Sequence, residues 1–154
     1  MTKELLHSQL KSVRNWVLKA YEDTDQSLID IVPAGFNNNL HWQFGHVADN
    51  IEGELVRLLE KDDSDQKRLK KYFGYGTSPD QFDDETPSFE EIKEILDRQV
   101  DEYGEVPEER LEGELDEAVL GNSRSDTLSA FIIAHEALHA GKIQEIKRLL
   151  EETY

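Results

Sequence analysis

The chain has 154 residues, no cysteine, and 34 acidic against 17 basic side chains, for a formal net charge of -17. That length suits one ordinary domain spanning residues 1–154, able to bury a core without cross-links. The composition excludes disulfide scaffolds, thiolate zinc sites and a cysteine nucleophile, and its acidic field opposes nucleic-acid binding.

The opening "MTKELLHSQLKSVRNWVLKAYED" mixes charges into its apolar positions, so it reads neither as a signal peptide nor as a membrane span, and a cytoplasmic location is expected. Leu6, Leu10, Val13, Val17 and Ala20 recur at helical spacing and predict a first helix over about 3–21. His7 falls among polar residues and is expected at the surface, while Trp16 is expected in the core rather than lining a pocket. Pro33, Gly35 and the run Asn37-Asn38-Asn39 break the helix, and Asn38 or Asn39 is placed to cap the next.

The second helix is predicted over about 40–61, with Leu40, Phe44, Val47, Ile51, Leu55 and Leu58 inward, and "DDSD" ends it. In "DQKRLKKYF", Lys67, Arg68, Lys70 and Lys71 form a short basic run that reads as a solvated surface segment rather than a phosphate site. Tyr72, Phe73 and Tyr75 either pack over the bundle or form a dimer contact. Ser88 caps a third helix, with Glu91 completing a capping box, and Ile92, Leu96, Gln99 and Tyr103 form its inner face. Gly104 and Pro107 end it, and "EERLEGELDEAVLGNSRSD" is expected as loop with one short helix. Ser125 or Asp126 is predicted to cap a last helix reaching about Glu151. Four long helices and no convincing strand give an all-α, four-helix-bundle expectation.

The last helix contains "AHEALHAGKIQEI", in which His135, Glu136 and His139 spell H-E-x-x-H. Residues four apart on a helix stand one above the other, so both imidazoles can address one point. They sit in a stripe of Leu128, Phe131, Ile132, His135, His139, Lys142, Ile146 and Leu149, which predicts that they interrupt the inward face. Buried rings need partners, and a shared metal ion satisfies both at once.

The letters match zinc peptidases, but only 15 residues follow His139, Lys142 and Glu145 stand where the longer peptidase motif needs Gly and His, and no edge strand is visible. A third ligand must come from upstream, and periodicity alone leaves His41 and His46 open. Gly45 and Gly53 are places where another helix can approach closely. Asp49 and Asn50, within a turn of His46, either orient a ligand imidazole or touch substrate, or are ordinary helix-surface groups. Trp42 is expected in the core, the alternative being that it lines a pocket.

"NNNLHWQFGHVADNIEGE" followed by "AHEALHAGKIQEI" resembles the DinB/YfiT-like superfamily of four-helix-bundle metal proteins. Lys142 stands where members of that family often carry Gln. The resemblance implies His46, His135 and His139 as ligands of one divalent ion, such as zinc, nickel or iron, in a homodimer. It also implies a small-molecule substrate, with metal-dependent transfer to a low-molecular-weight thiol as the leading activity. Two alternatives remain: a non-catalytic, metal-stabilised dimeric bundle, or a small-molecule metallohydrolase using Glu136 as general base.

Overall fold

The computed structural model describes residues 2–154, and its frame is helical. The helices are α1 (Thr2–Glu22), α2 (Leu40–Leu59), α3 (Ser64–Phe73), α4 (Phe89–Gly104), α5 (Glu108–Glu112) and α6 (Ser125–Thr153), with a small hairpin of β1 (Glu114–Val119) and β2 (Asn122–Arg124) before α6. α1, α2, α4 and α6 form the bundle: α1 and α2 each pack against both α4 and α6, so α1 lies diagonal to α2. The apolar stripes make this possible, because Leu10, Val17, Phe44, Val47, Ile51, Leu55, Ile92 and Leu96 are all fully buried.

Caps hold the entry to α2 and α4. The Asn39 side chain accepts from the Trp42 amide at 2.8 Å, and Ser88 accepts from the Glu91 amide at 3.1 Å. The return half of the expected capping box is replaced, since the Glu91 carboxylate takes a hydrogen bond from Arg68 at 2.7 Å. α6 begins at Ser125 itself, so neither Ser125 nor Asp126 caps it; the Ser125 hydroxyl accepts from Arg57 at 2.7 Å.

Two elements differ from the sequence expectation. The basic run forms α3, whose Leu69, Tyr72 and Phe73 turn inward while Lys67, Lys70 and Lys71 keep their charge outside. The segment expected as loop holds the hairpin as well as the short helix α5, its reversal made by Leu120 and Gly121, both at positive φ as a two-residue hairpin turn requires.

Individual residues also moved. Trp16 is 55% exposed rather than core. His7 is half-buried rather than exposed: its Nε2 donates to the Val100 carbonyl at 2.8 Å and its ring packs on Gly104, where a Cβ would come within 2.7 Å of it. Tyr72 and Phe73 pack into the bundle, while Tyr75 is 99% exposed.

The face of α6 is turned from the expected stripe. Leu128, Ile133, Glu136, His139, Ala140, Ile143, Ile146 and Leu150 are buried, whereas Phe131 and Lys142 are exposed. The cause is Glu136, which a hydropathy pattern places outside but which enters the core to meet Arg14. Both side chains are 1% exposed, and Arg14 donates to the two Glu136 oxygens at 2.9 and 2.8 Å and to the Leu96 carbonyl at 2.6 Å.

Candidate metal centre

α2 and α6 face each other in the bundle, and this contact brings His46 to His135 and His139. One nitrogen from each ring lies within 4.8 Å of one from each of the others. Ring centroids are 4.4 Å apart for His46 and His139, 4.4 Å for His135 and His139, and 5.6 Å for His46 and His135. His46 and His139 are buried and His135 half-buried, so the cluster is closed toward the core and open on the His135 side.

Each ring is oriented through its other nitrogen. Nδ1 of His46 donates to the Phe73 carbonyl at 2.7 Å, which turns Nε2 inward. That carbonyl ends α3, and the Phe73 ring beneath it lies against Gly45, where a Cβ would fall 2.3 Å from the ring. Gly45 is therefore the close approach that docks α3 and sets the His46 partner, whereas a Cβ on Gly53 would meet nothing nearer than 4.0 Å.

On the far side of the His46 ring, Trp42 stacks at 4.5 Å with 13° between the planes, its Nε1 donating to Thr77 at 2.9 Å. Nδ1 of His139 donates to Gln43 Oε1 at 2.8 Å, and Gln43 in turn donates to Asn38 Oδ1 at 3.0 Å, which fixes its amide. These are the carbonyl and amide partners that metal-ligating imidazoles characteristically have.

Between His135 and His139 the two Nε2 atoms are 3.2 Å apart, and Asn50 Nδ2 is 3.1 Å from Nδ1 of His135. With the His139 proton on Nδ1, this arrangement has Asn50 donating to His135 and His135 Nε2 donating to His139. A half-turn of the Asn50 amide exchanges its nitrogen for its oxygen without altering its shape, and the His135 proton then moves to Nδ1. All three Nε2 lone pairs are then free for one ion. The 3.2 Å separation fits, since two imidazoles at zinc bond lengths in a tetrahedron stand about 3.3 Å apart. Three imidazoles make a borderline, neutral donor set, suited to zinc, nickel or iron rather than to calcium or magnesium.

The electrostatics keep these rings neutral. Burial pushes His46 down to about 4 and His139 to about 3, and lowers His135 as well, the Lys142 charge adding to the effect on all three.

His41 belongs elsewhere: its ring nitrogens meet Asp30 Oδ1 at 3.0 Å and the Pro87 carbonyl at 2.8 Å, tying the loop before α2 to the start of α4. Glu136 is not in the cluster, and both of its oxygens are engaged by Arg14. Asn50 lies against the His135 ring, and Asp49 is buried with its Oδ1 unpartnered; burial pushes its carboxyl up to about 7. Sequence reasoning missed Gln43 and Phe73, the partners of two of the clustered rings; Gln43, four residues after the Asn39 cap and three before His46, was the legible one.

No curated protein matches the chain. The crystal structure of a conserved protein from Enterococcus faecalis superposes with a TM-score of 0.74 at 14% sequence identity, over 97% of this chain and 96% of that one, a likeness of fold. No helix among the described residues is long and apolar enough to cross a membrane. Residues 9–143 match the profile of the DinB superfamily, nearly the whole helical frame and all three clustered histidines. The chain belongs to the DinB superfamily.

Proposed function

We propose that this protein is a metal-dependent enzyme of small-molecule chemistry that transfers an electrophilic carbon to a low-molecular-weight thiol. The observation that carries this is the convergence of three imidazoles whose remaining nitrogens face the Phe73 carbonyl, the Gln43 amide and the Asn50 amide. A divalent ion, when bound there, keeps its full positive charge because the three imidazoles are neutral, and so favours the ionised form of a thiol near neutral pH.

The chain has no cysteine, so the sulfur belongs to the substrate. The new S–C bond forms as the leaving group departs with its electron pair, and the thiol proton passes to solvent. The protein's own residues have positioning work. Phe73 and Gln43 fix two rings, Trp42 closes the back of His46 against water, and the half-buried His135 leaves the approach open. We assign Glu136 to holding α1 against α6 rather than to proton transfer, because Arg14 occupies both of its oxygens.

A non-catalytic reading, a homodimeric bundle stapled by the ion, is favoured by one feature: the three ligands bridge α2 and α6. A conjugation assay separates the two. Zinc-, nickel- and iron-loaded protein is offered a panel of small thiols with a chlorodinitrobenzene, beside the chelated protein. Thiol-dependent turnover lost on chelation is the expected result. Loss of thermal stability on chelation, with no turnover for any thiol, supports the staple instead.

A further inference from the structure

The open side of the histidine cluster is formed by α6 itself, and its residues are unusual for a solvent face. Phe131, His135, Leu138 and Lys142 are spaced four, three and four apart, which places them within about 60° of one another around the helix. Phe131 is 43% and Leu138 57% exposed, one turn on either side of the half-buried His135. Single exposed apolar residues are ordinary, but these two adjoin a candidate ligand on one face.

Lys142 follows one turn after His139. It is exposed, it makes no hydrogen bond or ion pair with another described residue, and its charge reaches all three rings. Lys147 on the same helix pairs with Glu151 at 2.6 Å, and what sets Lys142 apart is its place beside the three rings. A lysine left single beside a site for a second cation repels that cation unless an anion lies between them.

We propose that the metal centre takes an amphipathic anion: a small molecule with an apolar body resting on Phe131 and Leu138 and a carboxylate or similar group held by Lys142. The inference rests on the metal site proposed above and names the class of molecule that site admits. Lys142 is then a specificity residue, selecting charge, while Phe131 and Leu138 select the apolar part.

The test uses the full chain loaded with cobalt(II), whose visible spectrum reports on the ligands around it. Cobalt uptake is measured first by metal analysis, and failure to take up an ion overturns both the metal site and this inference. Loaded protein is then titrated with phenylacetate, acetate and phenylacetamide. Phenylacetate is expected to bind more tightly than either of the others. Lys142→Met should weaken phenylacetate roughly two- to fivefold, as loss of an exposed charge contact does, and leave phenylacetamide unchanged. Phe131→Ser should weaken phenylacetate and not acetate.

Cobalt uptake with phenylacetate affinity indifferent to Lys142→Met overturns this inference alone. So does a wild-type dimer that Phe131→Ser converts to monomer, because that result seats a second copy on the same face.

Discussion

Two buried histidines, one buried acid and one buried ion pair set the chemistry of the core at the level of single residues. His46 and His139 are held down to about 4 and about 3, whereas in an unfolded chain histidine titrates near 6.5. Between those values the unfolded state binds more protons than the folded one. The stability these rings contribute to the metal-free protein is therefore complete above about pH 6.5 and is lost as pH falls toward 4 and below.

Asp49 runs the other way. Its folded value is raised to about 7, so its contribution is complete below the unfolded value of 3.8 and is lost as pH rises through 7. Asp49→Asn, which mimics the protonated acid, should therefore gain stability over wild type as pH rises from 5 to 8. Denaturant unfolding at the two pH values checks this, and a difference independent of pH contradicts it.

The Arg14–Glu136 pair gives a second residue-level prediction. Removing one charge leaves the other buried without its counter-charge, so Glu136→Gln should cost roughly 3 kcal/mol in denaturant unfolding while the protein still takes up its ion. Unchanged stability with lost metal uptake would return Glu136 to the metal site.

At the scale of elements, α3 is the part whose role is least expected from its composition. It is a short helix with a basic outer face, yet its last carbonyl orients His46 and its last ring fills the space that Gly45 leaves. Gly45→Ala puts a methyl within 2.3 Å of the Phe73 ring, which must move and take the carbonyl with it. Overpacking of this kind costs roughly 1–3 kcal/mol, and metal affinity should fall with it. Metal titration of Gly45→Ala beside Gly53→Ala checks this, since a Cβ at Gly53 has room; equal affinities in the two variants would contradict it.

The bundle helices were legible because their apolar residues repeat cleanly: Leu6 to Ala20, Leu40 to Leu58 and Ile92 to Tyr103 turn inward as their spacing implies. α3 was not, because four basic residues in a ten-residue helix mask the three that turn in, Leu69, Tyr72 and Phe73. The hairpin was not, because "ELDEAV" is almost wholly exposed and lacks the alternation of a half-buried strand. The rotation of α6 was hidden for a different reason. Glu136 reads as a surface residue until Arg14, from the other end of the chain, is known to meet it in the core.

Across the whole molecule, the histidines converge because α2 and α6 are neighbours in the bundle, joined through segments nearly ninety residues apart in the chain. The H-E-x-x-H letters and a histidine upstream were visible in the sequence, and the resemblance supplied which one. Periodicity alone left His41 open, and the structure places it elsewhere, turned to Asp30 and Pro87. The acidic composition offers exposed carboxylates to any divalent cation in solution, so metal content alone does not locate the site.

Anomalous diffraction from crystals of the zinc-loaded protein, collected across the zinc edge, locates the ion directly. One peak bonded to Nε2 of His46, His135 and His139 at about 2.0–2.1 Å is the predicted result. A map with no peak among these three rings, or with zinc bound only at surface carboxylates, would contradict it.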